Sequence, residues 1–229
     1  HARRDPARRH MTLDLFGSAH DDTDHGTPPF DALGPGAFVL RGFAQSQLTA
    51  LQADIDAVIA QAPLRHWLTP GGKRMSVAMT NCGDVGWISD RQGYRYGTHD
   101  PLSQQPWPSM PASFVALARR AAGAAGYRDF APDACLVNRY SLDARLTLHQ
   151  DHDERDLGAP IVSVSLGLPA TFLWGGVHRG DRTRRIRLAP GDVVVWGGPS
   201  RLVYHGIAGV EGSFDAQAVR YNLTFRQAR

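Results

Sequence analysis

His149 and Asp151, one residue apart, and His205 far downstream are the residues of this chain whose types and spacing could hold a metal ion. Two imidazoles and one carboxylate make up the facial triad that binds Fe(II) on one side and leaves positions open for a co-substrate and O₂. In a strand over residues 147–151, side chains alternate, so His149 and Asp151 point to the same face and one short segment supplies two neighbouring ligands. His205 follows the β-type stretch Asp192-Val193-Val194-Val195-Trp196. In a barrel or double-sheet fold, so distant a residue can face the pair across the interior.

The tail from Arg220 to Arg226 adds a second signal. As a strand it places Arg220, Asn222, Thr224 and Arg226 on one face and the apolar Tyr221, Leu223 and Phe225 on the other. Alternating arginines also suit a solvated edge strand. Turned inward, they require acceptors, because a buried guanidinium is costly unless it is paired, and Arg binds carboxylates in a bidentate fork. A small dicarboxylate that also chelates the metal satisfies both features.

The elements that must position these groups are β-rich. From Ala134 onward, short β-type runs at 134–140, 145–149, 161–166, 171–174, 185–188, 192–196, 202–205 and 219–226 alternate with Gly, Pro and Asp turns. Two helices precede them. One spans about 46–61, with Leu48, Leu51, Ile55, Val58 and Ile59 at helical spacing behind a Ser46 cap. The other spans about 112–125, with Pro111 at its start and Gly126 as its stop. Residues 1–36 are polar and aperiodic and are expected to form a mobile arm; His1 to His10 precede an apparent start at Met11 and are excluded from fold reasoning. Residues 37–229 are expected to form one domain, with a lid at about 66–107 and a β core at about 134–229.

The segment 66–107 interleaves aromatics with cations: His66, Trp67, Met75, Met79, Trp87, Tyr94, Tyr96 and Trp107 beside Lys73, Arg74, Arg91 and Arg95. Bases stack on π faces while phosphates meet positive charge, so this mixture suits a single-stranded or flipped nucleotide. Trp67 and Trp107 are assigned to the core. The net charge of +3 favours a polyanionic partner only weakly. No apolar run is long enough to span a membrane and the Arg-rich amino terminus has no signal-peptide core, so a cytoplasmic protein is expected. Cys82 and Cys135 lack CxxC spacing and are expected to be reduced thiols, which leaves metal binding to His and Asp. Gly71-Gly72-Lys73 lacks the spacing of a phosphate-binding P-loop.

Six stretches carry a resemblance: Thr69-Pro70-Gly71-Gly72, Met75 to Gly83, Arg91 to Tyr94, Pro132 to Tyr140, Pro160 to Pro169 and Arg220 to Gln227. They resemble the bacterial AlkB family of Fe(II)- and 2-oxoglutarate-dependent dioxygenases, which repair alkylated bases by oxidative dealkylation. The resemblance covers nearly the whole chain from Met11 onward. It implies a mainly β fold with flanking helices, a double-stranded β-helix or jelly-roll, with an N-terminal nucleotide-recognition lid.

Several roles follow from that resemblance. His149, Asp151 and His205 would hold Fe(II). Arg226 with Asn138 would meet the metal-proximal carboxylate of 2-oxoglutarate, and Arg220 with Asn222 and Tyr140 the distal one. Met79, Trp87, Tyr94, Tyr96, Asp153, Glu154 and Arg179 would contact the substrate, with Trp87 stacking on the damaged base opposite His149. Asp153 and Glu154 would lie near the flipped base; Asp153, on the face of His149 and Asp151 if the strand continues, is the contact expected to favour the cationic lesions N1-methyladenine and N3-methylcytosine. Without the resemblance both acids read as exposed turn residues. The expected partner is alkylated DNA, single strands in preference, with RNA as a second polymer; O₂ is consumed, succinate and formaldehyde are released, and the protein acts as a monomer. No protein nucleophile is required, which agrees with the lack of a Ser/His/Asp or Cys/His pattern. The alternative is a 2-oxoglutarate-dependent protein or small-molecule hydroxylase, which needs the metal and arginines but not the aromatic, basic lid. The chain departs from the family pattern at His152, in place of a lysine, and at Trp174, in place of a phenylalanine.

Overall fold

The computed structural model describes residues 30–212 and 219–229. Its elements run in the order β1 (Phe30–Gly34), β2 (Ala37–Leu40), α1 (Leu48–Gln61), β3 (Ala78–Gly83), β4 (Gly86–Asp90), β5 (Gly93–Gly97), α2 (Ala112–Ala124), β6 (Ala134–Tyr140), β7 (Leu146–His149), β8 (Ile161–Gly167), β9 (Ala170–Trp174), β10 (Arg184–Leu188), β11 (Val193–Trp196), β12 (His205–Val210) and β13 (Arg220–Arg226). They build a seven-stranded sheet, β1-β2-β11-β8-β13-β6-β3, a four-stranded sheet, β10-β9-β12-β7, and the separate hairpin β4-β5. Every pairing between these strands is antiparallel.

The two sheets face each other as the halves of a jelly-roll, and the larger sheet is buried on both sides. On β11, Val193 and Val195 join the cluster under the helices, while Val194 and Trp196 join the cluster between the sheets. Strands buried on both faces need continuous apolar runs, and Val193-Val194-Val195-Trp196 is one. Leu51, Ile55 and Val58 of α1 and Phe114, Leu117 and Ala121 of α2 cover one face of the larger sheet. There Phe114 meets Phe225 of β13 edge-on, with ring centroids 5.9 Å apart. Phe172 and Trp174 of β9, Leu188 of β10 and Ile207 of β12 fill the gap between the sheets. Among the described residues, no helix is long and apolar enough to cross a membrane.

Several boundaries move. The expected arm at 1–36 lies outside the described residues as far as residue 29, but residues 30–34 form β1, which pairs with β2 and extends the larger sheet. Gly34-Pro35-Gly36 is the turn of this hairpin, and only glycine suits residue 36: its φ is +71° and a Cβ would lie 2.5 Å from the Tyr127 hydroxyl. The segment 66–107 is likewise not all lid, because β3 pairs with β6 at the edge of the larger sheet and the β4-β5 hairpin alone stands apart. The β core therefore recruits three strands from before residue 134. Ser46 lies in a 3₁₀ turn ahead of α1 and makes no capping bond to it. The strand expected at 202–205 begins only at His205, because residues 198–200 form a 3₁₀ turn and Val203 closes back on Ser200.

Candidate metal and co-substrate centre

His149 is the last residue of β7 and His205 the first of β12, and the two are register partners on adjacent strands. Strand pairing thus brings together imidazoles remote in sequence, with ring centroids 4.4 Å apart. Each ring holds its Nδ1 against the carbonyl two residues earlier, His149 on Thr147 at 2.8 Å and His205 on Val203 at 3.0 Å. A carbonyl can only accept, so each Nδ1 carries a proton and Nε2 is the ring nitrogen left to face a metal. Asp151 lies just past the end of β7, not within a strand reaching residue 151, yet its Oδ1 is 3.6 Å from His149 Nε2 and its Oδ2 is 3.9 Å from His205 Nε2. The three potential ligand atoms lie within 4.8 Å of one another.

The electrostatics suit a divalent cation. Burial opposes ionisation of Asp151, but Arg226, His205 and His149 outweigh it and hold the carboxyl well below the usual carboxylate range. Burial, assisted by His149, lowers the pKa of His205 to about 4, so its lone pair is free at neutral pH. Two neutral imidazoles and an ionised carboxylate are the donor set that Fe(II) takes in a facial triad. The residues present therefore fit the metal.

Arg226 does not stand free in the cavity. Its Nη2 donates to Asp151 Oδ2 at 2.8 Å, and its Nε lies 3.2 Å from Glu154 Oε1. Glu154 is itself buried and also accepts from Tyr96 at 2.5 Å and from Arg201 at 2.9 Å. Arg201 reaches further, donating to the Asp151 carbonyl at 2.5 Å and the Ala159 carbonyl at 3.0 Å. This network fixes Asp151 from both its backbone and its side chain, and it gives Glu154 a different place from the expected one. Both oxygens of its carboxylate are engaged by protein donors, so it orients the ligand set instead of reading the base. Glu154→Ala leaves two buried guanidiniums short of a partner and is expected to cost about 3–5 kcal/mol, the range for a broken buried pair. Denaturant unfolding of the metal-free protein checks this, and a loss below about 1 kcal/mol would show the pair to be replaceable by water.

Arg220 is in the opposite situation. It is wholly inaccessible, donates to Ser165 Oγ at 3.0 Å and to the Leu168 carbonyl at 3.4 Å, and its Nε has no partner. No carboxylate among the described residues pairs with it, and burial lowers its pKa to about 10, which still leaves it charged at neutral pH. Its guanidinium lies 5.9 Å from the Tyr140 ring centroid. Nearby, Asn138 donates to Asn222 Oδ1 at 3.3 Å while its own Oδ1 is unpartnered, and Asn222 is anchored on Ser163 Oγ at 2.7 Å. A buried cation with an unsatisfied N–H beside a cluster of amides and hydroxyls fits a carboxylate ligand.

Every candidate site residue except Tyr96 lines one cavity of about 620 Å³. Arg220, Asn222, Thr224 and Arg226 face it, while Tyr221, Leu223 and Phe225 pack under the helices, as strand alternation requires. At the mouth, Trp87 stacks on Tyr94 with centroids 5.5 Å apart and planes 16° from parallel. The Trp87 indole N–H donates to Asp153 at 2.9 Å, and His152 Nδ1 lies 3.2 Å from the other Asp153 oxygen. Arg179 sits over Tyr204 at 5.7 Å, and Met79 is buried in the wall. Tyr96, bonded to Glu154, supports the hairpin from behind. Trp67 and Trp107 are core residues, and His99 and His178 are on the surface.

Other contributors were given no role in the site by the sequence. Asn81 of β3 bonds both the N–H and the carbonyl of Trp87, at 2.9 and 3.0 Å, and so pins the hairpin to the larger sheet. Trp196 stands edge-on against His205 with centroids 4.8 Å apart, and Trp174 stands edge-on against Trp196 at 6.1 Å. Arg201 and Asn81 are of types common on any surface; only long-range pairing makes them distinctive.

Comparison with known proteins agrees with this geometry. The model of the 2OG-Fe(II) oxygenase superfamily matches residues 36–226. The alpha-ketoglutarate-dependent dioxygenase AlkB of Escherichia coli (strain K12) is 56% identical over 218 residues, covering 94% of this chain and 98% of that protein. The protein of the same name from Salmonella typhimurium is 55% identical over the same shares of both chains. The solved structure of OsALKBH1 superposes with a TM-score of 0.75 at 30% identity, covering 87% of this chain and all of that one. The chain belongs to the 2OG-Fe(II) oxygenase superfamily and, within it, to the bacterial AlkB family of alpha-ketoglutarate-dependent dioxygenases.

Proposed function

We propose that this protein removes methyl groups from alkylated nucleic-acid bases, N1-methyladenine and N3-methylcytosine foremost, converting 2-oxoglutarate to succinate and releasing formaldehyde. The observation that carries this is the cavity itself: a His-Asp-His ligand set, a buried Arg220 with no carboxylate partner among the described residues and a stacked Trp87-Tyr94 pair line one space. In this reading His149, Asp151 and His205 hold Fe(II). Arg220, with Asn222 and Tyr140, takes the distal carboxylate of 2-oxoglutarate. Asn138 and Arg226 border the proximal one, Arg226 also keeping Asp151 ionised and in place. Bound iron, with O₂ and 2-oxoglutarate, supplies the oxidation of the methyl C–H bond. The chain supplies orientation, charge and exclusion of water.

The base enters between Trp87 and His149, and the β4-β5 hairpin is the lid. Asp153 fixes the Trp87 indole and presents a carboxylate at the mouth, which favours cationic lesions over neutral bases. Single-stranded DNA is the preferred polymer, because an unpaired base reaches a cavity of this depth without the cost of unstacking a duplex, and RNA is a second substrate on the same ground. The protein works as a monomer in the cytoplasm, where the buried Cys82 and Cys135 stay reduced. Trp87→Ala is expected to raise KM for a methylated oligonucleotide by about 5- to 150-fold, the equivalent of about 1–3 kcal/mol of base stacking, with 2-oxoglutarate affinity unchanged. Equal loss of both would make Trp87 a support of the core.

The substrate class is tested by measuring 2-oxoglutarate decarboxylation with a methylated oligonucleotide, its unmethylated counterpart and an unrelated peptide. Stimulation by the methylated oligonucleotide alone is expected. Stimulation by the peptide instead would identify a protein hydroxylase on the same fold.

A further inference from the structure

Beyond the cavity, the described surface carries one dense cluster of cations. The β9-β10 hairpin and strand β10 hold Arg179, Arg182, Arg184, Arg185 and Arg187 within nine positions, all exposed. Two of these have structural work: Arg184 donates to the Leu33 carbonyl, and Arg187 pairs with Glu211 at 2.8 Å. Arg179, Arg182 and Arg185 have no carboxylate partner among the described residues. Ile186 and Leu188 of β10 face the core between the sheets, so Arg185 lies on the outer face of the smaller sheet by strand alternation. β10 is also the edge strand of that sheet.

The placement of this cluster is informative. Arg179 lines the cavity beside Tyr204, and Arg182 and Arg185 follow it in the chain at the triad end of the smaller sheet, Arg185 lying opposite Leu173, which pairs with Gly206 next to His205. A polyanion with one residue seated in the cavity and a phosphate on Arg179 has Arg182 and Arg185 within the same hairpin, outside the cavity lining. From this continuity we infer that the β9-β10 hairpin carries the phosphodiester backbone of the substrate strand away from the mouth, with Arg182 and Arg185 as phosphate contacts outside the active site. This rests on the cavity being a nucleic-acid site. The duller role for the same residues is protection of an exposed sheet edge against pairing with other chains.

The two roles differ in their salt dependence. Each phosphate neutralised on a single strand adds about 0.7 to the slope of log affinity against log salt. Arg182→Gln combined with Arg185→Gln is therefore expected to lower the slope for a single-stranded oligonucleotide of about 15 nucleotides, methylated at its centre, by about 1.4. Equivalently, between about 50 and 200 mM salt the unaltered protein loses about sevenfold more affinity than the variant. Binding is read by fluorescence anisotropy on the metal- and 2-oxoglutarate-loaded protein without O₂, beside a methylated trinucleotide too short to reach the hairpin. The expected result is a changed slope for the long strand and matching slopes for the trinucleotide. Matching slopes for both substrates would overturn the inference and return the arginines to edge protection. A parallel loss on both substrates would overturn it too, by showing that the substitutions disturb the mouth. If the unaltered protein bound neither oligonucleotide, the nucleic-acid reading of the cavity would fall first.

Discussion

Alanine at Asp151 or His205 is expected to abolish turnover, by a factor of about a thousand or more, because a bound metal contributes several kcal/mol to the reaction and each decade of rate is about 1.4 kcal/mol. The two variants should differ in stability. Asp151 partners the buried Arg226, so Asp151→Ala is expected to lose about 3–5 kcal/mol of folding stability as well. His205→Ala removes a ring that contacts Trp196 and Phe172 but pairs with no guanidinium, so its cost is that of lost packing and of the bond to the Val203 carbonyl. His149 is a third exposed, and its replacement should leave the fold least affected. Turnover and thermal unfolding of the metal-free variants check both parts. Near-normal activity in either Asp151→Ala or His205→Ala would remove the assigned metal site.

Arg220→Ala is expected to weaken 2-oxoglutarate binding by about 30-fold to several thousandfold, corresponding to about 2–5 kcal/mol for a desolvated charge partner. The metal-loaded protein without 2-oxoglutarate should melt at nearly the same temperature as the unaltered protein, since Arg220 has no carboxylate partner among the described residues to lose. In the unaltered protein, added 2-oxoglutarate raises the melting temperature in proportion to the logarithm of its concentration over Kd; in the variant the same rise should need about 30-fold to several thousandfold more 2-oxoglutarate. Arg220→Lys keeps the charge but not the fork and should fall between them. A variant that melts far lower while binding 2-oxoglutarate normally would make Arg220 a structural residue.

These two sites differ in how much the sequence disclosed. Strand alternation sufficed for β13, because Tyr221, Leu223 and Phe225 are apolar and must face the core, which leaves Arg220, Asn222 and Arg226 facing inward on the other side. The strands from Ala134 to Trp196 were legible for the same reason, their runs being bounded by turn residues. β1 and β2 were not, since Gly34-Pro35-Gly36 reads equally well as part of a polar arm, and only pairing with β11 makes a strand of Ala37–Leu40. Asp151 reached the triad without the strand expected to carry it there; it lies in the irregular segment after β7, and the Arg226 and Arg201 bonds place it. Glu154 illustrates the same limit. Its acidity next to Asp153 suggested charge selection, but its position depends on Tyr96, Arg201 and Arg226, which are distant in sequence and meet only in the fold.

A dealkylase of this kind couples the consumption of one co-substrate to the repair of one base. Iron-loaded protein incubated with 2-oxoglutarate, O₂ and an oligonucleotide carrying N1-methyladenine should yield unmethylated adenine, succinate and formaldehyde in equal amounts. Succinate without repaired base or formaldehyde, under conditions where the oligonucleotide is bound, would contradict it.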